Sequence, residues 1–199
     1  MTEQQLTDAY TAALQAEDAR AIIVAGEALD AYDTAERDRW NAPGALGRFA
    51  AWYARQGVPV FPLRVGQKVP MPGSRGFKDA TCDLDTVNAW WRVTPNANIG
   101  MPTGHRWDVV DVDAPTGPWS LAKKPELYDG LRSTSAGEVL TPGGGWHWYM
   151  SIEGAKNGAG LLPGVDLRGD GGYVVLPPSV IDGKHYRWTR VPAELAVNA

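Results

Sequence analysis

The chain has a single cysteine, Cys82, among its 199 residues. One thiol excludes an internal disulfide framework and any cysteine-rich zinc site. Its three histidines, His105, His147 and His185, are too scattered to form a histidine zinc site. No apolar run reaches the roughly 18 residues that a transmembrane helix needs, so no membrane partner is expected. The N-terminal residues MTEQQLTDAY lack the basic-then-apolar layout of a secretory leader. With so little cysteine, the expected compartment is a reducing cytoplasm. Internal repeats and low-complexity tracts are also missing.

What is present suits a globular chain. Hydrophobic residues make up 44% of it, enough for a real core, and the length fits one domain with an appendage. The net charge of −4 at first argues against a nucleic-acid partner. The imbalance is local, however. Residues 1–39 hold nine acids and three bases, whereas the remainder is net +2. Bound divalent cations would make that remainder more positive still.

Residues 3–38 read as helix, rich in Ala, Glu, Gln and Leu and free of proline. Asn41-Ala42-Pro43-Gly44 breaks the pattern. The expected organisation is therefore an N-terminal helical segment over 1–40 and a main domain over 41–199. Within the latter, Ala45–Gln56 reads as an amphipathic helix stopped by Gly57. Asp83 caps a short helix through Trp91. Strands are expected at Val58–Phe61, Asn98–Met101, Trp107–Asp113, Glu138–Thr141, Trp146–Ile152, Tyr173–Leu176 and His185–Trp188, with partial helix over Pro118–Arg132. Without a strict βαβ rhythm, the expected class is α+β, a mixed-sheet core.

Three segments carry chemistry. In Trp107–Asp113 the alternation of a strand puts Asp111 and Asp113 on one face and Val110 and Val112 on the other. Two ionised carboxylates so placed repel each other, and a divalent cation removes that penalty. Oxygen ligands select Mg²⁺ or Mn²⁺ over zinc. The plain structural alternative is a strand end running into a turn at Ala114-Pro115. In Thr141–Tyr149, three glycines including Gly145 let backbone N–H groups approach an anion. There His147 and Tyr149 share a face, and His147 is a candidate phosphate donor. In Gly164–Ser179, Asp166 and Arg168 share a face if the segment is extended. They pair either as ligand and phosphate-binding guanidinium or as a simple ion pair.

Taken in order, Val110-Asp111-Val112-Asp113, Gly145-Trp146-His147 and Val165-Asp166 resemble the primase–polymerase branch of the archaeo-eukaryotic primase superfamily. Lys68-Val69-Pro70, Gly76–Thr81 and Asp166–Ser179 extend the resemblance, which covers roughly residues 48–190. Members of this branch occur at the N-terminus of phage and plasmid replication proteins. Gly145 stands where many relatives have Ser, which removes a hydroxyl from that position.

The resemblance implies a two-layer primase-like catalytic core, with an RNA-recognition-like sheet beside a smaller unit and an active-site cleft between them. It implies that Asp111, Asp113 and Asp166 hold two divalent cations, Mg²⁺ or Mn²⁺, for nucleotidyl transfer. It makes His147 catalytic together with these aspartates, and His147, Arg168, Lys78 and Gly145 the expected nucleotide-binding residues. The implied partners are single-stranded DNA template, primer and ribo- or deoxyribonucleoside triphosphates, with a helicase domain or subunit alongside. Of the nine tryptophans, one or two are expected to stack on bases. Two rival readings use the same residues, a metal-dependent nuclease and a non-catalytic single-strand-binding module.

Overall fold

The computed structural model describes residues 41–152 and 155–196, and before them only positions 5, 6, 9, 35 and 39. Those five positions are helical. The rest of the helix expected over 3–38 lies outside the described residues. The chain divides into two compact units, Met1–Ala45 and Leu46–Ala199.

Helix α1 (Ala45–Arg55) begins at this division. It buries Ala50, Ala51, Tyr53 and Ala54 on one face. Gly57 ends it at φ +73°, a conformation that favours glycine. Asp83 caps α2 (Leu84–Val93) by accepting from the Thr86 N–H at 2.8 Å. That helix buries Val87 and Trp91, and the Trp91 indole donates to the Ala97 carbonyl at 2.9 Å. Both helices stand where the sequence places them.

Two antiparallel sheets follow. The smaller joins β1 (Phe61–Leu63), β2 (Asn98–Pro102) and β8 (Tyr173–Leu176) in the order β1-β2-β8. The larger contains β3 (Asp108–Val112), β4 (Gly137–Leu140), β5 (Trp146–Met150), β6 (Gly158–Leu162), β7 (Val165–Arg168) and β11 (Arg187–Arg190). Its order is β11-β4-β5-β3-β7-β6. A short hairpin of β9 (Val180–Ile181) and β10 (Lys184–His185) precedes β11. Helices α3 (Thr116–Ala122) and α4 (Pro125–Thr134) lie between β3 and β4, and α5 (Ala193–Ala196) follows β11. The architecture is α+β.

The strand expected at Val58–Phe61 begins later. Val60 makes only an isolated bridge to Thr81, and β1 starts at Phe61. Strand β6 has no counterpart in the sequence reading. Its residues GAGLL are poor strand formers, and pairing with β7 makes them a strand.

Each face of the larger sheet has its own core. On one, Val110, Val112, Trp148, Met150 and Val165 pack with Leu121 of α3, against Tyr128 and Leu131 of α4. On the other, Val109, Val139 and Tyr149 join Tyr53, Leu63, Ile99 and Leu176 in the main core. Strand β3 is thus covered on both faces and is apolar except at Asp108 and Asp111.

Candidate active site

Register brings the site together. Asp111 lies directly opposite His147 of β5 on one side and Asp166 of β7 on the other. Residues paired across strands project from the same face. The three polar side chains therefore form a row, His147–Asp111–Asp166, on a face that Arg168 shares, opposite Val109, beside the apolar core. One residue past the strand, the Asp113 backbone N–H still donates to the Gly164 carbonyl at 2.8 Å, which keeps Asp113 beside Asp111.

His147 and Asp111 of this row line a cavity of about 320 Å³, within the size range of small-molecule sites, whereas Asp166 is not among its lining residues. Asp111, Asp113, His147, Arg168 and Lys68 line it, together with Tyr173 and Tyr186. The Tyr186 ring lies 5.5 Å from the His147 ring, centre to centre. Burial, together with the nearby charges of Asp111 and Asp113, pushes the Tyr186 hydroxyl up, so it stays protonated.

The charges within the row are closely coupled. The Arg168 guanidinium donates from Nη2 to Asp111 Oδ2 and to Asp166 Oδ2, both at 3.1 Å. Its Nε donates to the same Asp111 oxygen at 3.2 Å. The other Asp166 oxygen accepts from the Gly160 N–H at 2.9 Å. Partial desolvation and then the Asp111 charge push the Asp113 carboxyl above its ordinary value, against the pull of Lys68 and Arg168. Burial pushes His147 down to about 4 despite the Asp111 carboxylate. Its Nε2 lies 3.5 Å from Asp111 Oδ1, and its Nδ1 has no hydrogen-bonding partner among the described residues. The imidazole is neutral at physiological pH and keeps one N–H to donate.

The carboxylates of Asp111, Asp113 and Asp166 are hard oxygen donors of the kind that suits Mg²⁺ or Mn²⁺. Among the described residues, no three His, Cys, Asp or Glu side chains are gathered tightly enough to hold one ion. Here the Asp111 and Asp166 carboxylates converge on a guanidinium instead.

Two expected nucleotide contacts stand elsewhere. Lys78 is exposed on a short 3-10 turn, Gly76–Asp79, and does not line the cavity. Lys68, ten residues earlier in the same loop, does line it. The Tyr173 hydroxyl donates to its carbonyl at 3.0 Å. One residue before, the Gln67 carbonyl accepts from the Asn98 amide at 3.0 Å. Gly145 also has another task. The N–H groups of Gly144 and Gly145 close their own turn onto the Thr141 carbonyl and hydroxyl, at 2.9 and 3.1 Å. A Cβ at Gly145 would sit 2.0 Å from the Val112 carbonyl oxygen. Gly145 lets β5 approach β3 closely and is absent from the cavity lining. Of the tryptophans, Trp91 is buried and Trp90 half-buried, while Trp119 is exposed with the Lys123 ammonium 3.6 Å from its ring centre.

Fold and site together define an α+β domain whose central sheet presents acids and bases to one open cavity. The model of the family described as bifunctional DNA primase/polymerase, N-terminal, matches residues 50–197, and the chain belongs to that family. Membership implies a nucleotidyltransferase-type enzyme with DNA and nucleotides as substrates. No curated protein matches the chain. Among the described residues, no helix is long and apolar enough to cross a membrane.

Proposed function

We propose that residues 41–199 form the catalytic domain of a DNA-dependent primase–polymerase. It would add nucleotides from triphosphates to a primer 3′-hydroxyl, or to a first nucleotide, on a single-stranded DNA template. The observation that carries this reading is the His147–Asp111–Asp166 row, of which His147 and Asp111 line a cavity together with Asp113, Arg168 and Lys68. The α+β architecture with a central antiparallel sheet fits a primase-like core, its cleft being this cavity.

Asp111, Asp113 and Asp166 would hold the two divalent cations. When bound, such ions lower the pKa of the attacking hydroxyl and neutralise the leaving pyrophosphate. The protein's own contribution is positioning and charge. The neutral His147 imidazole donates to a phosphate oxygen from the floor of the cavity. Lys68 supplies a point charge from a loop that Asn98 and Tyr173 hold in place. Arg168 offers a planar fork suited to phosphate. Trp119 with Lys123 is the candidate platform for a template base and its phosphate, outside the cavity.

Primer extension with Mg²⁺ and then Mn²⁺ tests the proposal. Template-directed lengthening of the primer is the expected result. Release of nucleotides without triphosphate consumption would indicate a nuclease instead, and binding of single strands without either reaction a binding module.

A further inference from the structure

Arg168 is the feature of the site that nucleotidyl transfer alone does not explain. Its guanidinium lies inside the acidic row, bonded to Asp111 and Asp166 at once. A simple strap is not needed there, because β3 and β7 are already paired through Asp111 and Asp166 by backbone hydrogen bonds. We propose that Arg168 is a displaceable stand-in for a divalent cation. In the ion-free protein it neutralises the acids, and on ion binding it is released toward the triphosphate.

The inference rests on reading the three aspartates as ion ligands, and four observations support it. First, a single Arg168 nitrogen, Nη2, holds the Oδ2 atoms of both Asp111 and Asp166. Their other oxygens face the His147 Nε2 and the Gly160 N–H. An ion bridging the two acids competes for the same lone pairs. Second, no tight three-ligand group exists among the described residues while the guanidinium is there. Third, Arg168 pairs with both acids at 3.1 Å, and a guanidinium never loses its proton, so it gives them a positive partner whenever no ion is bound. Fourth, the Arg168 side chain is 30% exposed and lines the cavity, so it has somewhere to go. Its planar fork bonds phosphate as well as carboxylate. Removing the arginine should therefore have opposite effects on the two ligands, with ions alone bound more tightly and triphosphate more weakly.

The test is Mn²⁺ binding to the full chain without nucleotide, followed by electron paramagnetic resonance, for wild type, Asp111→Asn and Arg168→Gln. Wild type should bind Mn²⁺ and Asp111→Asn should lose most of it. Failure of that pair would overturn the assignment of the acids themselves. Arg168→Gln should bind Mn²⁺ about five- to tenfold more tightly than wild type, an ordinary size for coupling between competing ligands. Equal or weaker binding would overturn the stand-in role and leave the ligand assignment standing. A second measurement does not depend on how Arg168→Gln folds. In wild-type protein carrying ¹⁵N-arginine, the Arg168 Nε–H signal, assigned by its absence from Arg168→Lys, should shift when Mg²⁺ is added. An unmoved signal at saturating Mg²⁺ would also overturn the proposal.

Discussion

The two faces of the large sheet each carry a shielded carboxylate, and they treat it in opposite ways. On the face toward α3 and α4, Glu138 accepts from Arg132 Nε at 2.8 Å, from the Trp148 indole at 3.0 Å and from the Thr189 hydroxyl at 2.8 Å. Burial alone would push its carboxyl up, but these donors, Arg132 first, hold it below its ordinary value of 4.5. On the opposite face, three aspartates share Arg168 and Lys68, and Asp113 is pushed up. A carboxylate whose lone pairs are filled by its own fold is there for stability. Carboxylates gathered without enough counter-charge cost stability, and such groups concentrate at functional sites. The contrast makes a two-sided expectation: variants on one face should lose chemistry and keep the fold, and variants on the other should do the reverse.

The largest effect belongs to the acidic row. Asp111→Asn and Asp113→Asn should each reduce nucleotide incorporation at least about 10³-fold, the scale on which charge stabilisation acts in phosphoryl transfer. Their melting temperatures should move by no more than about 4 °C, because a partly exposed ion pair is worth at most about 1 kcal/mol. Near-normal primer extension by either variant would erase the distinction between the two faces.

His147 is the intermediate case, since it is buried like a core residue yet lines the cavity. His147→Ala should weaken triphosphate binding by roughly 10- to 100-fold, equivalent to about 1.5–3 kcal/mol for a hydrogen bond to a charged group. Single-stranded DNA affinity, measured by anisotropy on the same samples, should change by less than about twofold, because template affinity comes mainly from Lys and Arg on phosphates. Equal losses for both ligands would move His147 off the nucleotide.

Glu138 tests the other face. Glu138→Gln should cost about 1–2 kcal/mol at pH 7, at the modest end for a charged hydrogen bond because Arg132 is half exposed. The sign of its pH dependence follows from the lowered carboxyl. The ionised group stabilises the fold fully above its unfolded value, near 4.5, and that contribution fades as the pH falls through the lower folded value. Wild type and variant should therefore differ most in melting temperature near neutrality and converge in acid. A gap that is constant from pH 7 to pH 3 would show that the carboxylate's charge does nothing there.

The part of this contrast that could be read from the chain is the part that is local. Alternation in Trp107–Asp113 puts Asp111 and Asp113 on one face, and Asp83 and Gly57 mark helix ends by their own chemistry. Register is not local. That Asp111 sits opposite both His147 and Asp166 depends on three strands meeting, and no segment alone contains it. The choice between Lys68 and Lys78 is also non-local. Both sit in the same Gly/Pro-rich loop, and the fastening of its first half by Asn98 and Tyr173 puts Lys68 at the cavity. Gly145 misleads for a related reason. A glycine run suggests a phosphate cradle, whereas the nearby Val112 carbonyl is what requires glycine. Tyr186, buried beside His147 near the end of the chain, follows no motif that would single it out.

The smallest expected effect concerns residues 1–40, and a null result there sharpens the comparison by confining the chemistry to the sheet. Residues 1–39 carry a net charge of −6, a poor surface for DNA, whose affinity depends on neutralising phosphates with bases. The family match begins at residue 50, and every side chain in the proposed site lies beyond it. Deleting residues 1–40 should leave primer extension within about twofold of wild type at low salt, and removing acidic residues should if anything speed encounter with DNA. Circular dichroism of the truncated protein separates failure to fold from failure to catalyse. A folded truncation that no longer extends primers would mean that the acidic segment helps to build the active site or to hold the template, and the catalytic unit would then have to be drawn from residue 1.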